Sequence, residues 1–330
     1  MKFAKYLGGR VLSWFLVIFI GISFMFFIPR FFPSDPVESY IQQMLSKTSL
    51  QAEAVELLRE QLRIQYGLDG TLFEQYVRFL KGVVVFDFGP SLMNFPSDAS
   101  TIVARFLPYT IGLSLTTTLV AWIIGNTIGI LAGFRRNKIS SVILEYIAIF
   151  LYPIPYFILA LVVQIFFCYI WKLFPIVTTI MTSGSFSDYI TSLIRSSILP
   201  ALTMILVGFG WWVISMKAVS ADTAQEEFVR YARFRGIPEG RIARKYVFRN
   251  SILPQVSGLA ISLGGIFGGA LMTEIIFQYP GVGQLVQKAI MQADYNMILA
   301  TVSISIVAIS SATLIADLLY PLIDPRVRYS

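Results

Sequence analysis

The chain has 330 residues, 56% apolar and 14% charged, against about 45–50% apolar and about 25% charged in an average soluble domain, so lipid is the expected solvent. Its net charge of +7 comes from basic residues clustered in short segments between long apolar runs, the pattern of a membrane protein and not of a nucleic-acid-binding face, so no nucleic acid is expected as a partner. With no histidine and one cysteine, Cys168, imidazole acid–base chemistry, H-E-x-x-H zinc sites, imidazole haem ligation and an intrachain disulfide are all removed.

Crossing the hydrocarbon takes about 20 mostly apolar residues. Six stretches qualify: 11–29, 107–134, 142–171, 197–216, 255–277 and 297–319. Lys2, Lys5 and Arg10 precede the first, as in a signal peptide. Its apolar stretch of about 18 residues, Val11 to Ile28, exceeds the usual core of about 7–15, and no small-residue cleavage site follows, so residues 1–29 are read as a cytoplasmic N-terminus and a retained first helix.

Residues 30–105 are not a flexible linker. Thr48 with Gln51 fits a capping box, and Val55, Leu58 and Leu62 recur at helical spacing until Gly67. Leu72, Tyr76 and Phe79 mark a second short helix over 71–81. The expectation is a small helical subdomain, followed by a five-helix core over 106–330. In that core Gly125, Gly129 and Gly133 form overlapping G-x-x-x-G steps, and Gly264–Gly268 and Gly265–Gly269 repeat the pattern. Such stripes let helices pack closely in lipid; lining a pore is the alternative. Pro153 and Pro155 are expected to bend the third span.

The loop 217–250 is the most informative segment. Asp222 with Gln225 fits a helix start, and Ala224, Phe228, Tyr231 and Ala232 form an apolar stripe with Arg230, Arg233 and Arg235 beside it. Gly236 supplies the stop, and Pro238 opens a basic helix carrying Arg241, Arg244, Lys245 and Arg249. A solvated basic loop is one reading. The apolar stripe favours a helix that docks in a partner's groove.

Of the acids in or near the spans, Glu145, Glu274 and Asp317 lie towards span ends, where pairing or capping competes with function. Asp317, with Tyr320 and the Asp324-Pro325-Arg326 tail, reads as an anchor for the last helix. Trp122, Trp171, Trp211 and Trp212 read as interface residues. Lys plus Arg number 16 in the N-terminal tail, 134–139, 217–250 and the C-terminal tail, against three in 172–196 and 278–296. Both termini are therefore expected in the cytoplasm, with 30–105 outside.

Taken in order, FPSDP (32–36), QYGLDG (65–70), FDFGPS (86–91), RFLPYT (105–110), FVRYARFRG (228–236), TEIIFQYPGVGQL (273–285) and ADLLYPLIDPRVR (316–328) give the chain its resemblance to the permease subunits of binding-protein-dependent ABC importers. The family's EAA loop is a cytoplasmic coupling helix with a glycine after the triplet. Arg230, Tyr231 and Ala232 hold the triplet positions here, and Gly236 the glycine. Two triplet residues depart from the general motif, and the distance from Gly236 to Pro254 is longer. Both departures resemble the dipeptide/oligopeptide branch, whose loops read YVRTARxxG. The long segment after the first span looks like the first, B-type permease of such systems.

The resemblance implies an all-α membrane protein with about six spans, of the type I importer permease kind, multi-pass in a bacterial or archaeal inner membrane. It implies a second permease, two ATP-binding subunits and an extracytoplasmic solute-binding protein as partners, besides membrane lipid. No cofactor is expected on this chain, ATP and Mg residing on partner subunits, and no G-x-x-x-x-G-K-[ST] loop occurs in it. By resemblance Phe228, Arg230, Tyr231, Ala232, Arg233, Arg235 and Gly236 meet the ATPase, and Glu274, Tyr279, Pro280 and Gly281 serve an outer gate or binding-protein contact. The substrate is expected to be di- or oligopeptides, with oligosaccharides as the alternative and nickel behind them. An ion-coupled carrier or channel lacks a chain of intramembrane ionisable groups, and a membrane-embedded enzyme lacks a catalytic constellation.

Overall fold

The computed structural model describes residues 2–31, 35–46, 51–134, 139–178, 180–181 and 184–323. Thr48, the basic cluster at 135–138 and the 324–330 tail, each used in the sequence reading, lie outside them. Among the described residues every regular element is helical. In order they are α1 (Lys2–Phe27), α2 (Pro36–Leu45), α3 (Ala52–Gln65), α4 (Leu72–Val85), α5 (Ala99–Phe134), α6 (Ile139–Leu151) and α7 (Tyr156–Gln164). There follow α8 (Phe186–Thr223), α9 (Glu227–Phe234), α10 (Glu239–Ile242), α11 (Arg249–Gly264), α12 (Ile266–Ile276), α13 (Val282–Met291) and α14 (Tyr295–Ile323). A 3₁₀ turn, Ile28–Phe31, follows α1, and π-helical turns extend α7 and α10.

Among the described residues four helices are long and apolar enough to cross a membrane by themselves: Tyr6–Phe31, Ala99–Phe134, Phe186–Thr223 and Tyr295–Leu318. A fifth crossing is available if the pair Val142–Leu151 and Tyr156–Ile170, bent by 99°, is one span. The bend falls at Pro153 and Pro155, as their missing N–H groups require. The sixth stretch, 255–277, is not one continuous helix. It is α11 and α12, broken at Gly265, where glycine makes the interruption inexpensive. Only 11% of the first span's apolar window is buried by the chain itself, so lipid or a partner must cover the rest.

The chain forms two compact units. The first comprises Met1–Arg10, Ile111–Tyr279 and Ala312–Ser330. A close approach of two helices lies where α5 meets α8. A Cβ on Gly125 would run into that of Trp212, one on Gly129 would stand 2.7 Å from that of Met216, and one on Gly133 2.7 Å from the Lys217 carbonyl. The stripe is therefore a packing surface, closed against α8. Gly264 meets Thr313 in the same manner (2.7 Å); the surroundings of Gly268 lie outside the described residues. Ala121, Ala148, Phe209, Trp212 and Val213 form an adjoining core. Trp212 is thus interior, and Trp122 donates to the Gln255 carbonyl at 3.0 Å; Trp171 and Trp211 remain exposed, as interface residues would. Glu145 pairs with Lys217, and Asp317 with Arg10 at 2.9 Å, so both acids have structural partners.

The second unit comprises Val11–Thr110 and Pro280–Ser311. Asp35 caps α2 by accepting from the Val37 amide at 2.9 Å. α3 begins after Gln51, and Gly67 (φ +61°) ends that segment. α4 opens on a full capping box between Thr71 and Glu74. Val37, Ile41, Leu62, Tyr66 and Leu92 make one core, with Val55 and Leu58 packed on it. A second joins Phe88, Ala99 and Val103 to Leu285, Met297 and Ala300. Burial raises the Tyr66 phenol well above its ordinary range. Between the cores Asp294, fully buried, accepts from Ser91 Oγ (2.6 Å), the Met93 amide (3.0 Å) and the Met297 amide (3.1 Å), so one carboxylate ties the 91–93 loop to the start of α14.

Candidate functional site

The loop between α8 and α11 is built as a short rigid bracket. α8 runs to Thr223, so Asp222 belongs to its last turn and does not start the next helix. The new helix, α9, begins at Glu227 after three connecting residues. Its end is a complete Schellman motif. Gly236 takes φ +71°, its amide donates to the Arg233 carbonyl at 2.9 Å, and the Ile237 amide donates to the Ala232 carbonyl at 3.2 Å.

The two faces of α9 divide the predicted residues. Val229 (0% exposed) and Ala232 (3%) point into the chain, with Ile242, Val247, Ile130, Phe134 and Ile237 around them. Tyr231 (66%), Phe234 (83%) and, less fully, Phe228 (40%) point outwards. The stripe read from the sequence therefore mixed two faces. Ala232 is an internal packing residue and is not available to a partner, because it lies one helical step from Val229 on the buried side. Phe234 takes its place on the exposed face, a position the sequence reading missed. The signal was present: Tyr231 and Phe234 are spaced i, i+3.

The polar groups complete the geometry. Arg233 bonds Glu239 at 3.0 Å and lies over the Phe134 ring at 6.0 Å, so it braces α9 against α10 and α5. Arg230, Arg235 and Gly236 are exposed, as are Arg241, Arg244, Lys245 and Arg249 beyond them. At the base of the loop Ser251 Oγ donates to Thr223 Oγ1 (3.1 Å), and Gln255 Nε2 donates to Ser215 Oγ (3.0 Å). These bonds join the two helices that enter and leave the bracket. The result is an apolar and cationic surface of Tyr231, Phe234, Arg230 and Arg235 on a support that cannot move apart from α5, α8 and α11.

The second predicted cluster is built differently. Glu274 and Tyr279 are buried in the first unit. Tyr279 shares a hydrogen bond with Ser197 Oγ at 3.0 Å, and burial pushes its phenol up. Thr273 Oγ1 donates to Tyr156 OH (2.7 Å), Gln164 to the Ile276 carbonyl (3.1 Å) and Thr178 to the Phe277 carbonyl (2.7 Å). The end of α12 is thus held by polar bonds from α7, α8 and the segment between them. In the second unit Pro280 is half-buried and Gly281 buried, and the Val282 amide donates to Thr110 Oγ1 at 2.8 Å. Among the described residues no group of three or more Cys, Asp or Glu could hold a metal ion.

A sequence model of the family described as binding-protein-dependent transport system inner membrane component matches residues 125–329, a stretch that contains both clusters. Over 94% of its length the chain is 29% identical to the oligopeptide transport system permease protein AppB of Bacillus subtilis, covering 96% of that protein. It is 29% identical over 97% of its length to a putative peptide permease protein of Brucella ovis, covering 95% of it. The same identity holds over 98% of its length with the glutathione transport system permease protein GsiC of Escherichia coli, covering 99%.

Proposed function

Because the chain belongs to the family of binding-protein-dependent transport system inner membrane components, we propose that it supplies half of the solute path of an ATP-driven peptide importer and takes up the ATPase stroke through α9. In this reading ATP and Mg are bound by two separate ATPase subunits. A second permease completes the path, and a solute-binding protein delivers peptide from outside. The loop 217–250 and both termini face the cytoplasm, with 30–105 on the other side; the excess of Lys and Arg in the loop supports this orientation.

The observation that carries the proposal is the outward face of α9. Tyr231 and Phe234 are exposed aromatics flanked by Arg230 and Arg235, on a helix whose other face is locked into the chain. Exposed aromatics with arginine are the residues that anchor protein interfaces, and an amphipathic helix seated in a groove is the docking mode they suit. Glu274, Tyr279, Pro280 and Gly281 are assigned to the outer gate. The burial of Glu274 and Tyr279 supports a gate that moves as packed structure more than a surface that touches the binding protein. Peptide as the solute rests on the names of the relatives.

The test is gentle solubilisation of the tagged chain from its own membrane and identification of what co-purifies. A second permease, ATPase subunits and a binding protein are expected, with Phe234→Ser losing the ATPase and keeping the second permease. Recovery of the chain alone in several detergents, or ATPase retention undiminished by Phe234→Ser, refutes the docking assignment.

A further inference from the structure

α4 carries apolar side chains on two sides. Tyr76 and Phe79 turn inwards and pack around Phe26 with tilted rings, at centroid distances of 5.1 and 5.3 Å, at the end of the first span. Phe73 (73% exposed) and Val84 (79%) turn outwards, with nothing of the described residues over them. A water-facing subdomain has no use for such a surface, whereas a helix lying in a membrane surface does.

Beside α4 the same unit contains a cavity of about 430 Å³, and Arg30, Arg78 and Lys81 all line it. Arg78 is engaged by Asp69. Arg30 is not engaged by a carboxylate among the described residues. Its guanidinium lies 3.5 Å over the Phe26 ring, donates to the Phe26 carbonyl at 2.7 Å and reaches Gln75 Oε1 at 3.3 Å. Lys81 likewise has no ion pair among the described residues. The one carboxylate lining the cavity is Asp87, whose Oδ1 accepts from the Gly89 amide at 3.1 Å. A half-buried guanidinium at the end of a membrane span calls for an anion. The anion abundant at that depth is the phosphate of a phospholipid.

We propose that α4 lies in the membrane–water interface, with Phe73 and Val84 among acyl chains, and that the cavity takes the phosphate headgroup of an anionic phospholipid, held by Arg30 and Lys81. The assignment depends on the membrane location of the first span and not on the importer mechanism. A headgroup fixed there ties the α2–α4 region to the bilayer at a set depth.

Native mass spectrometry of the full-length chain, titrated in mild detergent with phosphatidylglycerol or phosphatidylcholine, reads the site directly. One phosphatidylglycerol is expected to bind in preference to phosphatidylcholine, with a loss of about fivefold for each cation removed in Arg30→Gln and Lys81→Gln. Arg30 also supports the fold through its bonds to Phe26 and Gln75, so Lys81→Gln decides if the first variant is unstable. Equal affinity for the two lipids, or an unchanged preference in Lys81→Gln, overturns the site. Displacement of the lipid by millimolar glycerol 1-phosphate overturns the headgroup in favour of a soluble anion. For the interface, a spin label on Val84→Cys in a Cys168→Ser background, in nanodiscs, is expected to be more accessible to oxygen than to a water-soluble nickel chelate; the reverse order places α4 in water and overturns that part.

Discussion

Gly236 separates two roles that a single substitution would confuse. Its φ of +71° is required by the Schellman motif that ends α9, and a Cβ placed there meets no atom within 4 Å. Any residue with a side chain therefore loses the same thing inside the chain, the cost of a left-handed conformation, which is about 1–2 kcal/mol. Asparagine loses less, because its short polar side chain bonds locally. Gly236→Ala should then raise the local opening of residues 234–238 by roughly tenfold, since 1.4 kcal/mol is a factor of ten, and Gly236→Asn by less. Val229 and Ala232 still hold α9 to the chain, so both variants should retain most of their import. Gly236→Trp carries the same backbone cost and adds a large side chain on the surface proposed to dock. It should assemble with its partners' membrane subunits yet uncouple ATP hydrolysis from uptake. The assay is hydrogen exchange over 230–240 together with ATPase and import rates in proteoliposomes. Import by the Trp variant equal to the Ala variant would refute the placement of Gly236 at the docking surface. An Ala variant as uncoupled as the Trp variant would show that the turn, and not clearance, is what matters.

The helix stripe gives a prediction with an internal control. Gly129→Val should lower the melting temperature of the purified complex through an overpacking cost of about 1–3 kcal/mol, because its Cβ meets the Met216 Cβ at 2.7 Å and the Val213 carbonyl at 2.8 Å. Gly112→Ala, with no atom within 4 Å, should leave the melt unchanged; equal shifts in both would show that the stripe is not a close-packed seam. At the start of α4 the Thr71 amide and hydroxyl hold Glu74 below its ordinary pKa, and Arg78 does the same for Asp69. Both folded values are depressed, so the cap contributes above the ordinary carboxylate range and its contribution is lost as pH falls through the lowered values. Protection of the 72–75 amides, taken against their intrinsic exchange rates, should fall on that acid side, and Glu74→Gln should flatten the dependence; an equally steep response in the variant would count against the capping box as its source.

The sequence was informative where local chemistry decides structure. The Thr71–Glu74 box was not itself anticipated, yet the helix it starts was, from Leu72, Tyr76 and Phe79; of these Leu72 proves to be exposed. Gly236 was legible because a helix that must stop needs a left-handed residue, and glycine supplies one without penalty. Pro153 and Pro155 announced the 99° break for a similar reason. What failed depended on context. Asp222 looked like a helix start, but nothing before it tells the chain to end α8, which continues to Thr223. The stripe on α9 was misassigned because Ala232 and Phe228 both look apolar in one dimension, while only packing reveals that Val229 shares the inner face. The span at 255–277 was legible as apolar but not as continuous, because Gly264 and Gly265 read equally as a packing stripe or as a break. The bonds from Asp294 to Ser91 and Met93 cross some 200 residues and leave no local trace.

The length of α9 bears on how a push there could reach the membrane. An isolated helix of eight residues is not stable in water, since helices below about 12–15 residues do not repay their nucleation. α9 is helical because Val229 and Ala232 bury against α5, α10 and the π-turn, and because the Schellman motif closes its end. Separating it from its support would therefore melt it, so force applied to its outer face is passed on instead of being absorbed. The nearest receiver is α8, reached through three residues and continuous over Phe186–Thr223, a rod of roughly 57 Å at 1.5 Å per residue. Ser251 and Gln255 link that rod to α11, and the glycine contacts link it to α5. Three helices thus share one handle. That arrangement suits a component whose energy arrives from another polypeptide, because the handle needs no flexibility of its own, only an exposed face and a stiff base.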